Sequence, residues 1–361
     1  MQATTREAQT RPAADSSSIL PRPLPGFATY PTHHCVTGSL KHIYDYHGYP
    51  ISEDLLLGLG RGLGFVYFHL KGTDPFYGGR ANNPSPNEEG LEKTAGRRTG
   101  VTVQSHATRS ARTAQTALRE LLEAGEPVLV YVDMGFLPYF DLPENYHFGG
   151  HVVVVAGYDS DTGRVLIADR DQELYPVEWD ALERARGSEY KPFPPRHTWY
   201  TFDFSAARPP TLRDVRESIG EVCHGMLAPP IANLGVKGIR KAIRQTMQWP
   251  EILDPDALRR SCFNVALFVD RRGGTGGGIF RYMYARFLGE AASIAGEPRF
   301  ASMGAELTTI GDRWEKVAAA FADAAQSENP ADLLESATGP MHDIADREQD
   351  FWERLETIVT A

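Results

Sequence analysis

The sequence predicts an α+β fold, with a strand-bearing N-terminal domain followed by a mainly helical one. Three observations predict it. Short apolar runs bounded by turn residues are confined to the first 206 residues. Beyond residue 211 the apolar positions recur at three- and four-residue steps. Pro209-Pro210 punctuates the change. With 361 residues, the chain is long enough for two domains and a sizeable core. The expected division is a Ser-, Pro-, Thr- and Ala-rich disordered lead-in over 1–23, an α+β domain over 24–206 and a helical domain over 207–361.

The elements follow in order. Val36, Leu40, Ile43 and Tyr44 carry helical spacing from Val36 to Tyr46, and Gly48 stops it. Ser52-Glu53-Asp54 caps a short helix through Leu57. The glycine-studded run Gly58 to Gly64 reads as a loop entering an apolar strand at Phe65 to Phe68. Residues 72–100 are rich in Gly, Pro and Asn and read as a long surface segment. Thr113 to Ala124 reads as a helix ended by Gly125, and Pro127 to Val132 as a buried strand. A long aromatic loop over 133–150 follows, of the length that often carries function. Val152 to Gly157 and Arg164 to Ala168 read as a hairpin, and Thr198 to Phe204 as a closing strand. Helical periodicity then covers 211–247, 256–270, 279–295, 300–326 and 330–358, without an internal repeat.

Three residues on these elements suggest chemistry. Cys35 stands at a helix start, His151 heads an apolar strand after Gly149-Gly150, and Asp169 follows the next strand. In that order they are the parts of a papain-type nucleophilic site. A helix N-terminus and a neighbouring imidazole lower a thiol pKa and make it nucleophilic. The His shuttles the proton and the Asp orients the His. Asp171 competes with Asp169 for the third place. Cys223 and Cys262 fall within helical, apolar patterns and read as inert core residues. His33 and His34 read as turn residues rather than metal ligands, since no Cys/His/Asp cluster has metal-ligand spacing.

Composition narrows the class. The net charge of −10 argues against general nucleic-acid binding. No apolar run reaches the roughly 18 residues of a membrane span, and the first residues lack signal-peptide order. Three sparse cysteines fit a reducing cytoplasm.

The run from His34-Cys35 to Leu40, Ser52-Glu53 and the Gly58–Tyr67 segment resemble the N-terminal domain of the butirosin biosynthesis protein H family. Gly274-Thr275-Gly276-Gly277-Gly278, Phe280-Arg281, Tyr284, Phe287-Leu288 and Trp314 are similar to the helical domain that follows it there. The resemblance implies a papain-like, C39-like cysteine-peptidase type of domain that works as an acyltransferase. The family's activity moves an aminoacyl group from a carrier-protein thioester to an aminoglycoside amine. It implies Cys35 as nucleophile, His151 as base, an acyl carrier protein with its phosphopantetheine arm, an amine acceptor and no resident cofactor. One departure matters: papain-like enzymes place a Gln shortly before the Cys for the oxyanion hole, and positions 27–34 contain none. Backbone N–H groups, His34 or Tyr67 are the remaining donors.

Two further features have alternative readings. The loop through Gly276 and Gly277 either offers N–H groups to the phosphate of that arm or is a flexible turn before a helix. Lys237, Arg240, Lys241 and Arg244 share one helical face, either as a solvated stripe or as a dock for an acidic carrier. The expected function is amide-forming acyl transfer through an acyl-Cys. The alternatives are a cysteine hydrolase on the same site and a binding scaffold that merely keeps the fold. The aromatic loop favours transfer, because an acyl-enzyme must be kept from water.

Overall fold

The computed structural model describes residues 22–361 apart from 86, 144 and 160. The lead-in expected over 1–23 therefore lies outside the described residues, except for its last two. The chain runs α1 (Cys35–Tyr46), α2 (Glu53–Leu59), β1 (Leu63–Phe68), β2 (Phe76–Arg80), α3 (Leu91–Thr99), β3 (Thr102–His106), α4 (Ala111–Glu123), β4 (Val128–Val132), β5 (His151–Asp159), β6 (Arg164–Ala168), β7 (Leu174–Glu178), α5 (Trp179–Gly187) and β8 (Trp199–Asp203). Only helices follow: α6 (Leu212–Leu227), α7 (Gly235–Thr246), α8 (Trp249–Ile252), α9 (Pro255–Val269), α10 (Gly278–Ala295), α11 (Arg299–Gln326) and α12 (Leu334–Thr360). None of these helices is long and apolar enough to cross a membrane.

Local chemistry sets the boundaries. The Ser52 hydroxyl accepts the Leu55 N–H at the head of α2. Thr211 and Asp214 form a reciprocal capping box on α6. Asp254 caps α9, with Pro255 at its first position, where no intrahelical N–H is needed. The strands form an antiparallel six-stranded sheet in the order β3-β8-β4-β5-β6-β7, with β1 and β2 paired apart from it. Val152 to Val155 is a continuous apolar run because both faces of β5 are covered. Val154 and Ala156 pack with Ile43 of α1, while Val153 and Val155 pack with α4 and α5.

Two expectations are corrected. Residues 72–100 are not a surface excursion. They hold β2 and α3, and Leu91, Glu92 and Ala95 are buried. The Gly58–Gly64 run is not simply a loop, since α2 continues to Leu59 and β1 begins at Leu63. Its glycines serve close approach. A Cβ on Gly58 would lie 2.3 Å from the Phe287 ring, and one on Gly79 would lie 1.9 Å from the Thr275 carbonyl oxygen. Strand and helix content divide near residue 207, but packing does not. One hydrophobic core joins Val36, Leu56, Phe65 and Tyr77 to Phe280, Phe287, Trp314 and Trp352.

A buried ion pair sits at this junction. Arg281 donates to both oxygens of Glu348 at 3.0 and 2.9 Å, and both residues are fully buried. Trp314 and Trp352 donate their indole N–H groups to the same carboxylate at 2.9 and 3.3 Å. The remaining Arg281 nitrogen reaches the carbonyls of Gly64 and Gly276 at 3.2 and 3.3 Å. Removing one partner strands a buried charge. Glu348→Ala should therefore cost about 3–5 kcal/mol, and the Arg281→Met/Glu348→Leu pair less than either single change. Urea midpoints at constant m check this. A double variant less stable than both singles would show that the pair is a net stabiliser.

Candidate functional site

Cys35 is the first residue of α1, and His34 before it is extended. The hydroxyl of Ser39, one turn on, donates to the Val152 carbonyl beside His151 at 3.4 Å. The Thr32 N–H donates to the Arg170 carbonyl, next to Asp169, at 2.8 Å. Helix, His strand and Asp strand are thus tied at one corner. Gly38 allows the pre-helix segment to lie against α1: a Cβ there would meet Thr32 Oγ1 at 2.3 Å.

His151 Nε2 lies 2.8 Å from Asp169 Oδ2. A carboxylate only accepts, so Nε2 carries the proton and Nδ1 is left for the thiol. Tyr139 also donates to Asp169 Oδ2 at 2.9 Å, and the Phe140 ring stands edge-on to His151 at 5.5 Å. Asp171 is engaged elsewhere, accepting the Glu173 N–H and the Tyr175 hydroxyl.

The electrostatics favour an ion pair. Burial opposes ionisation of Cys35, but His34 and His151 outweigh it by charge and hydrogen bonding, holding the thiol well below its ordinary range. Burial likewise opposes charge on His151, but Asp169 and Cys35 overcome it and push its pKa up to about 9. For Asp169, the pairing with His151 outweighs burial, and the carboxyl lies below its usual value. Cys35 and His151 titrate as one coupled unit.

Glu53, expected only to help start α2, proves central to this corner. Its buried carboxylate accepts the backbone N–H groups of His33 and His34 at 2.8 and 2.6 Å and the Thr37 hydroxyl at 2.9 Å. Thr37 in turn faces His34 Nδ1 at 3.1 Å. Nothing in the local pattern signals this, because the contacts span 16 to 20 residues.

Cys35 is partly exposed to a cavity of about 830 Å³, which His34, Arg80, Tyr131, His151 and Arg170 also line. Arg80 is held by the Tyr131 hydroxyl and by Glu92 at 3.1 and 3.0 Å. The 133–150 loop forms one wall through Phe140, Leu142, Tyr146 and Phe148. Asp133 organises that loop by accepting from the Gly135 and Phe148 N–H groups, Ser188 and His147.

Other expected site residues lie elsewhere. Tyr67 is buried among Tyr77 and Trp249, accepts the Trp249 indole N–H at 3.3 Å and does not line the cavity. Gly276 and Gly277 are buried against Phe268 and Val269, and the Gly276 N–H is spent on the Phe268 carbonyl at 2.6 Å. They offer no cradle to a phosphate. On α7, Arg240 pairs with Asp346 and Lys241 bonds Asn233, both at 2.8 Å, and none of the stripe borders the cavity. Burial raises both other thiols, Cys262 to about 12, as inert core cysteines require.

Residues 34–170 match the family described as butirosin biosynthesis protein H, N-terminal. Residues 180–355 match a domain of unknown function, DUF4872. Among curated proteins nothing matches the chain. The resemblance read from the Cys35 and glycine motifs is thus shown, over a stretch that contains Cys35, His151 and Asp169.

The charge pattern has a measurable consequence. His34 and His151 hold the Cys35 pKa down, so removing either raises it. Iodoacetamide should label Cys35 rapidly at pH 6, and His151→Ala or His34→Ala should slow that labelling. Asp169→Asn should move the loss of the His151 proton below about 9. Labelling rates by intact mass and imidazole NMR titration read both. A wild-type midpoint near the free-thiol value of about 8.5 would remove the ion pair.

Proposed function

We propose that this chain is a cysteine-dependent acyltransferase with a papain-like catalytic half. In this reading it moves an acyl group from a carrier-protein thioester to an amine in natural-product biosynthesis. The observation that carries it is the line Cys35, His151, Asp169, with Cys35 and His151 at the wall of the cavity and His151 Nε2 already committed to Asp169. The family match to a biosynthetic protein supports transfer over degradation.

The steps follow from the geometry. The Cys35 thiolate attacks the thioester carbonyl. The tetrahedral adduct collapses, expelling the carrier thiolate, which takes the proton from His151. The amine then enters, gives a proton to His151 and attacks the acyl-Cys. Collapse releases the amide and returns Cys35 as thiolate. Asp169 keeps the imidazole in one tautomer throughout, with Tyr139 fixing Asp169. First-turn N–H groups of α1, with His34 beside them, are the oxyanion donors in place of the missing Gln. The phosphopantetheine arm of the carrier brings the acyl group. The aromatic wall of the 133–150 loop excludes water from the acyl-enzyme.

With a thioester donor and an amine acceptor, amide should outrun free acid, and transfer should rise with pH as the acceptor deprotonates. The reason is effective molarity: a positioned amine competes with bulk water. Cys35→Ala should abolish the acyl-enzyme mass. His151→Ala should cost about 10²–10⁴-fold in rate. Product analysis from pH 7 to 9 decides between readings, and free acid alone across acceptors would make the protein a hydrolase.

A further inference from the structure

The cavity changes character along its length. Phe76, Gly78 and Arg80 alternate along β2 and all three line it. They therefore share one face of the strand. Arg80 donates to the hydroxyl of Tyr131, which pairs across the sheet with Val152 beside His151, so this end of β2 lies toward the reactive corner. Phe76 lies four residues back, about 13 Å away along an extended strand. Gly78 between them adds no side chain to the floor.

The Phe76 end is apolar. Its ring meets Phe268 of α9 at 4.4 Å and Phe193 at 6.2 Å. Phe148 closes the circuit, 5.6 Å from Phe193 and 5.7 Å from Phe268. Four rings from four segments thus form one aromatic end wall. Beyond it, Phe263 and Leu267 border the cavity at its mouth, 52% and 40% exposed. They are one turn apart on α9, whose other face already lies in the core through Cys262, Val265 and Val269. A surface helix normally presents polar residues outward. Apolar surface left bare beside a reactive site marks a binding site.

We propose that the acyl group of the donor is an apolar chain. Its carbonyl sits at Cys35, its chain runs over Gly78, and its end rests among Phe76, Phe148, Phe193 and Phe268, with Phe263 and Leu267 at the exit. The substrate class is a medium-chain or aryl-terminated acyl thioester, not the polar aminoacyl donor that the family resemblance implies. The assignment rests on the acyl-transfer reading, but the shape and lining of the cavity argue for it independently.

Two arms test it on the full chain. In the first, acylation of Cys35 is followed by intact mass with acetyl, butyryl, hexanoyl and octanoyl N-acetylcysteamine thioesters, and with a 4-aminobutyryl thioester. The kcat/KM for acylation should rise up to about fourfold per buried methylene. The 4-aminobutyryl donor should fall below butyryl. In the second, Cys35→Ala is titrated calorimetrically with the matching unreactive N-acetylcysteamine amides. Affinity should rise along the same series. Phe263→Ser and Leu267→Ser lie at exposed positions and should slow octanoyl transfer several-fold more than acetyl. If no thioester acylates Cys35 while affinity still climbs with chain length, the reaction is wrong and the apolar site stands. If acylation occurs but rate and affinity are flat, or the polar donor is preferred, the apolar site is overturned and the reaction stands. Equal effects of the α9 variants on octanoyl and acetyl would also overturn it.

Discussion

The carboxylate of Glu348, buried among Arg281, Trp314 and Trp352, is the contact on which the joining of the two halves depends. Burying a guanidinium and a carboxylate costs several kcal/mol per ion before their attraction repays it. Here both carboxylate oxygens and three of the guanidinium nitrogens have partners. Two of these are backbone carbonyls, one on β1 at Gly64 and one in the glycine loop at Gly276. A hydrophobic contact would tolerate a shift of an ångström, whereas this fork of hydrogen bonds does not. It fixes α10 and α12 against β1, and therefore fixes α9 and the following loop against β2. The glycines at 58, 64, 79 and 276 are best read through this junction, as places where backbone must approach a ring or another strand.

The same logic operates at Cys35, where charge is placed to create reactivity rather than stability. A thiolate at a helix start gains from free N–H groups and from cationic imidazoles. Glu53, a carboxylate at the same helix end, would oppose this if it took the first-turn N–H groups. Instead it binds the N–H groups of His33 and His34, ahead of Cys35, and leaves the first helical turn to the thiolate. Its carboxylate also orders Thr37, which holds His34 from the other side. Cys35 thus lies between two oriented imidazoles, one governed by Glu53 through Thr37 and one by Asp169. Tyr139 extends the second chain into the aromatic loop, so the loop wall and the catalytic corner are mechanically coupled.

Legibility in the sequence followed the range of the interactions. The helix at Cys35, the strand at His151 and most of the C-terminal helices were readable, because periodicity and caps are local signals, although 211–247 proves to be two helices, α6 and α7. Asp169 and Asp171 were not separable, and the register explains why. Val154 pairs with Ala168, so continuing the ladder sets Asp169 opposite Val153 and Asp171 opposite His151. Both candidates are on the His151 side of the sheet by parity. Only the turn into β7, which spends Asp171 on Glu173 and Tyr175, leaves Asp169 to the imidazole. β2 and α3 were hidden because a Gly- and Asn-rich stretch reads as loop until its close neighbours are known. Tyr67 misled for a related reason. On β1 it is adjacent to the cavity-lining residues Val66 and Phe68, and strand alternation turns it the other way, into the helical half.

The cavity itself belongs to neither half. Cys35, His151 and the aromatic loop supply the reactive corner, while Phe263, Leu267, Phe268 and Thr275 supply the opposite wall. β2 stands between them, with Arg80 held by Tyr131 and Glu92 and Phe76 packed on α9. The first set carries the thiol and the imidazole, and the second adds an apolar wall that an acyl donor would contact whether amine or water resolved the acyl-enzyme. The helical half thus lines part of the cavity, and the buried Arg281–Glu348 fork helps hold that wall at a fixed distance from Cys35.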